Sequence, residues 1–170
     1  MSVRSATNSR MKLFLSHSSI DAGLVDLVKT RLTPLGITVY AAEFDNKAGA
    51  NVHDKVLSEI RLCDLMVVLL TGAGYSSIYV QQEIGVAREN KKMVIPIVVP
   101  EIAKEDLGLL TGTEYIIYNE IEPESALLLL SQRIEEISRQ HVQIQKQRED
   151  FVFAVGLGLI LGVILSALSE

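Results

Sequence analysis

The sequence has no tryptophan and a single cysteine, Cys63, among its 170 residues. One cysteine excludes an internal disulfide. It lies where a helical pattern gives way to an apolar run, and it reads as a buried thiol rather than a nucleophile. The histidines, His17, His53 and His141, are scattered without the spacing of metal ligands, so no metal is expected. A basic excess is also missing. The 16 Lys and Arg against 21 Asp and Glu leave a net charge of −5, and no basic stripe offsets it, which argues against a nucleic-acid partner. No G-x-x-x-x-G-K is present, and Gly72-Ala73-Gly74 lacks the third glycine of a dinucleotide fingerprint. His17 and Ser18 are adjacent on one turn, where two side chains seldom meet as a nucleophile and its base. The opening residues MSVRSATNSRMK carry no apolar stretch of a secretory signal. The globular part is therefore expected in the cytoplasm.

What is present is an alternation of two periods. Residues 1–10 form a polar arm, expected to be flexible. Lys12–Leu15 is a short strand ending in the turn Ser16–Ser19. Asp21–Leu35 places Leu24, Val25, Leu27, Val28 and Leu32 at helical spacing, with Pro34 and Gly36 as its stop. Ile37–Tyr40 is a second strand, Glu43–Val52 a polar loop, and Val52–Leu62 a second helix. Leu65–Leu70 is a continuous apolar run, as in a central parallel strand covered on both faces. Thr71–Gly74 reads as a turn, followed by a helix to about Asn90. Met93–Val99 is a further strand, in which Pro96 predicts a bulge or a strand end. Residues 100–114 are loop with room for one helical turn, Tyr115–Tyr118 a fifth strand, and Glu124–Gln147 a long helix. This order implies a parallel sheet with helices on both faces. Such sheets bind ligands beyond the carboxyl ends of their strands. Here that edge carries Ser16–Ser19, Ala41–Gly49 and Thr71–Ser77.

The tail is different in kind. After a charged spacer at 141–150, Phe151–Leu168 carries no charge. At 1.5 Å per residue it reaches about 27 Å, near the thickness of a bilayer's hydrocarbon core. A transmembrane helix over 151–168 is expected, with the lipid bilayer as partner. Lys146 and Arg148 precede it, which places the amino-terminal side in the cytoplasm. Gly158 and Gly162 form a G-x-x-x-G pattern that lets two helices approach.

One stretch invites chemistry. In Ser76–Arg88, SSIYVQQEIGVAR, Glu83 shares a helical face with Tyr79 and Ala87. Alone, such a glutamate reads first as a solvated helix residue. Beside an aromatic ring, a carboxylate also suits a positively charged ribosyl transition state, and Glu83 is placed to face the crevice at the sheet edge.

These pieces together resemble a known family. Lys12–Asp21 (KLFLSHSSID), the Lys47-Ala48-Gly49 loop, Asp64–Leu70 (DLMVVLL), Tyr79–Ala87 (YVQQEIGVA) and Met93–Val98 look like a Toll/interleukin-1 receptor (TIR) domain of the bacterial type, over residues 11–140. The resemblance implies a flavodoxin-like five-stranded parallel sheet. Many TIR domains cleave the nicotinamide–ribose bond of NAD+, with an aromatic residue, usually Trp, four residues before a catalytic Glu. By that match Glu83 is the catalytic residue and Tyr79 the aromatic. Ser16, His17 and Ser18 would line the pocket from the first loop, and Phe44, Lys47 and Gly49 from the mobile loop after the second strand. NAD+ would be substrate rather than cofactor, and the product linear ADP-ribose or a cyclic variant. Activation by self-assembly into a homo-oligomer, in antiphage defence or virulence, is implied as well. The alternative is a non-catalytic scaffold whose clustering drives the membrane tail.

Overall fold

The computed structural model describes residues 10–42 and 52–167, with the backbone alone from 156 onward. Five strands form one parallel sheet: β1 (Lys12–Ser16), β2 (Thr38–Ala41), β3 (Leu65–Leu70), β4 (Met93–Val98) and β5 (Ile116–Ile117). Their order is β2-β1-β3-β4-β5, the flavodoxin-like arrangement expected. Leu13, Phe14, Leu15 and Ser16 pair in register with Leu65, Met66, Val67 and Val68.

The helices are α1 (Ala22–Leu32), α2 (Val52–Leu62), α3 (Gly72–Ser76), α4 (Ile78–Glu89) and α5 (Pro123–Ala167). The chain runs from β1 to β2 in one direction, then crosses back and proceeds through β3, β4 and β5 in the other. Right-handed crossovers therefore place α1 on one face and α2 with α4 on the opposite face. Side chains alternate along each strand. Phe14 of β1 and Met66, Val68 and Leu70 of β3 pack with Val56 and Ile60 of α2 and Val80, Ile84 and Ala87 of α4. All six residues of β3 are buried, the result expected of a strand covered twice. Helix α1 buries Leu24, Val25, Val28 and Leu32. A 3-10 turn at Thr33–Leu35 then ends at Gly36, whose φ of 75° is left-handed, the terminator the sequence predicts. Arg31 of α1 donates from Nε to Ser131 Oγ at 3.2 Å, which ties the first turns of α5 to α1.

The chain divides into two compact units, Met1–Ser131 and Gln132–Glu170. The first holds the sheet. The second is the remainder of α5 and the residues after it.

Several expectations are corrected. Thr71–Gly74 is not a plain turn but opens α3, with Thr71 as its cap: Gly74 N donates to Thr71 Oγ1 at 3.0 Å. Pro96 makes no bulge. The β3–β4 register runs unbroken through Val68↔Pro96, and β5 pairs only with Ile97 and Val98, past the residue that lacks an N–H. The segment 100–114 contains two 3-10 turns, Ile102–Lys104 and Gly108–Leu110. The expected transmembrane helix over 151–168 gains no support. Among the described residues no helix is long and apolar enough to cross a membrane. Residues 1–9 of the arm expected over 1–10, and residues 43–51 of the expected polar loop, lie outside the described residues.

Candidate active site

The order of the sheet reverses between β1 and β3, and the crevice at such a switch point is where doubly wound sheets hold ligands. Ser16 ends β1 there. Alternation with Phe14 turns its side chain toward the face that α4 covers. Helix α4 begins at a Ser77 cap, with Val80 N donating to Ser77 Oγ. It buries Val80, Glu83, Ile84 and Ala87, an i, i+3, i+4, i+7 stripe. The glutamate thus occupies a core position, with only 5% of its surface exposed. This corrects the reading of Glu83 as a solvated helix residue.

Ser16 Oγ donates to Glu83 Oε2 at 2.5 Å. Burial pushes the Glu83 carboxyl up to about 7, and the Ser16 hydrogen bond opposes the rise. Among the described residues no basic side chain pairs with it. A buried carboxylate with one hydroxyl donor and no cation among the described residues favours an incoming positive charge, which would recover part of its lost solvation.

The neighbouring groups are held by a second set of bonds. Ser18 caps the 3-10 turn Ser19–Asp21: its hydroxyl accepts from Ile20 N, and its own N–H donates to Asp21 Oδ2 at 3.1 Å. The other oxygen of Asp21 accepts from Thr71 Oγ1 at 2.9 Å. His17 is buried, and its Nδ1 donates to the Leu15 carbonyl at 3.1 Å, so the ring folds back on its own strand. Tyr40 of β2 stacks on Phe14 with centroids 5.6 Å apart, and Lys55 Nζ lies 5.8 Å from its ring centre. Its phenol is pushed up by burial, then by the Glu59 and Glu83 carboxylates.

Of the residues expected from sequence, the structure brings Ser16 and Glu83 into direct contact, with His17 and Ser18 on the adjoining turn. Tyr79 is 58% exposed, one turn before Glu83 and outside the buried stripe, so the expected shared face is divided between core and solvent. Phe44, Lys47 and Gly49 lie outside the described residues. Sequence reasoning overlooked Tyr40, Asp21 and Thr71. The Ser18-Ser19-Ile20-Asp21 spacing is a legible capping signature, but the link from Asp21 to Thr71 spans fifty residues and has no local signal. Among the described residues no cluster of His, Cys, Asp and Glu is arranged to hold a metal ion.

The family profile of the TIR domain matches residues 13–130. Solved structures similar in fold include the following three. The CMP N-glycosidase BcmB of Clostridium botulinum is 23% identical at a TM-score of 0.53, over 70% of this chain and 97% of that one. The TIR domains of the activated Roq1 resistosome, which directly recognises the pathogen effector XopQ, are 13% identical at 0.56, over 75% and 99%. The TIR domain of the Toll-related receptor TRR-2 of Hydra magnipapillata is 11% identical at 0.57, over 71% and 94%. No curated protein sequence matches the chain.

Proposed function

The chain belongs to the TIR domain family, and from that premise we propose that it is an N-glycosidase that cleaves the nicotinamide–ribose bond of NAD+ with Glu83 as its catalytic carboxylate. One observation carries the reading: a buried glutamate, bonded to Ser16 and poised near neutral ionisation, sits at the switch point of the sheet. As the C1′–N bond breaks, its electron pair passes to the pyridinium nitrogen and neutral nicotinamide departs. Positive charge then spreads over C1′ and the ring oxygen. Ionised Glu83 stabilises that charge and hydrogen-bonds ribose hydroxyls, an electrostatic contribution made where water is excluded. Water adds to C1′ and releases a proton, giving ADP-ribose. Attack by an adenine nitrogen of the same molecule gives a cyclic product instead.

CMP is the rival substrate, since the C. botulinum neighbour is a CMP N-glycosidase. Charge balance favours NAD+. Its glycosidic nitrogen is cationic and offsets a buried carboxylate that has no other cation beside it among the described residues, whereas the base of CMP is neutral. The enzyme is further proposed to be anchored by 151–168, a run without charge, and to act as a homo-oligomer. Tethering raises the local concentration that assembly requires. Antiphage defence or virulence is the proposed setting.

The test is nicotinamide release from NAD+ by detergent-purified chain across a concentration series, beside Glu83→Ala and beside CMP as substrate. Release that vanishes in the variant supports the reading. Cytosine release without nicotinamide release changes the substrate. No release at any concentration favours a non-catalytic TIR scaffold acting through the apolar stretch.

A further inference from the structure

Two parts of the site reach it by separate routes. Ser16 arrives on β1, and the chain then turns through His17 and Ser18 into the 3-10 turn Ser19–Asp21. Glu83 arrives on α4, which follows α3 with only Ser77 between them. The sheet fixes β1 against β3, but the glutamate lies two helices beyond the end of β3. Its distance from Ser16 therefore depends on how α3 leaves the sheet.

Thr71 sets that departure. Its carbonyl accepts from Tyr75 N, and its hydroxyl accepts from Gly74 N. The same hydroxyl donates its proton to Asp21 Oδ1 at 2.9 Å. Asp21 is only 9% exposed. It spends its other oxygen on the N–H of Ser18 and closes a backbone bond from its own N–H to the Ser18 carbonyl at 2.9 Å. One buried carboxylate thus grips the loop after β1 and the first turn after β3 together. Neither residue touches Glu83 in any described contact.

We infer that Asp21 and Thr71 are positioning residues: their hydrogen bond clamps the turn after β1 to the start of α3 and so keeps Ser16 within bonding reach of Glu83. The inference rests on the glycosidase reading for its importance, but its test does not need turnover.

The experiment follows the Glu83 side chain itself. The full chain is labelled with 13C at glutamate carboxyls, and the Glu83 signal, identified by its loss in Glu83→Gln, is titrated with pH. Among the described residues the Tyr40 phenol also senses Glu83, but it is not a carboxyl and adds no signal. Removing the Ser16 bond withdraws a donor that favours the charged carboxylate, so Ser16→Ala moves the Glu83 midpoint upward by about one pH unit. Thr71→Val, equal in shape but without the hydroxyl, is expected to move it the same way, and to add nothing further in a Ser16→Ala background. Asp21→Asn can still accept from Ser18 N–H and can donate to Thr71 Oγ1, so it is expected to stay near the wild-type midpoint, while Asp21→Ala shifts. A folded Thr71→Val with the wild-type midpoint overturns the clamp, as does a Thr71→Val shift that persists in full without Ser16. Should Thr71→Val fail to fold, Asp21→Ala is read by the same two criteria. Absence of nicotinamide release from the wild type would remove the glycosidase reading and leave the titration result standing. A failed titration would remove the clamp and leave the glycosidase intact.

Discussion

A carboxyl group taken out of water keeps its proton to higher pH, and Glu83 shows what that implies for both rate and stability. The proposed reaction uses the ionised form, so kcat/KM for nicotinamide release is expected to rise with pH through a midpoint of about 7. Ser16→Ala is expected to displace that midpoint upward, measured by initial rates across pH. Glu83→Ala should lower the rate by about 100-fold or more. Stability runs the opposite way. The folded-state value of about 7 lies above the ordinary 4.5, so the folded chain binds more protons than the unfolded one between them. The resulting stability is fully present below about pH 4.5 and is lost as pH rises through about 7. The full span is about 3 kcal/mol. Glu83→Gln removes this dependence and should leave the protein more stable than wild type at pH 8 but not at pH 4. Urea unfolding at both values checks the sign.

At the scale of the element, α3 depends on a single missing atom. A Cβ built on Gly74 would lie 2.0 Å from the Leu69 carbonyl oxygen, which is backbone and cannot step aside. Gly74→Ala should therefore cost about 3 kcal/mol and lower the thermal midpoint, while Gly72→Ala, whose Cβ meets nothing within 4 Å, should change it little. Thermal unfolding of both variants is the measurement. The same element marks where sequence reading stops. Leu65–Leu70 and Val52–Leu62 were legible to the residue, because a run covered twice and a helical period are properties of the stretch itself. Thr71-Gly72-Ala73-Gly74 carries turn residues, and only packing on β3 reveals that its glycine serves a close approach within a short helix. Pro96 was misread for a related reason: whether a missing N–H matters depends on where the neighbouring strand begins. The position of Glu83 on α4 was legible. Its burial was not, since Tyr79 and Glu83 share a face by spacing, and the sheet decides which part of that face becomes core.

For the whole molecule, the sheet order follows from alternating strands and helices plus the handedness of crossovers, and it brings the elements that carry Ser16 and Glu83 to one crevice. The proposed membrane tether belongs to this scale. A chain ending at Asp150 is expected to move from the membrane pellet to the supernatant after alkaline extraction, and its nicotinamide release at equal, dilute concentration should fall. A chain that stays in the pellet would sink the tether. The strand order has a further consequence in time. β1 is synthesised before the other four described strands, yet it lies between β2 and β3. After β2 emerges, the ribosome must still make the residues up to Leu70 before β1 gains its second neighbour. At about 5–20 residues per second, that interval is on the order of seconds. Throughout it, an apolar strand presents an open edge to other nascent chains. The strand that later carries Ser16 thus spends that interval with one edge unpaired, a stretch of the newborn chain that a chaperone can shelter.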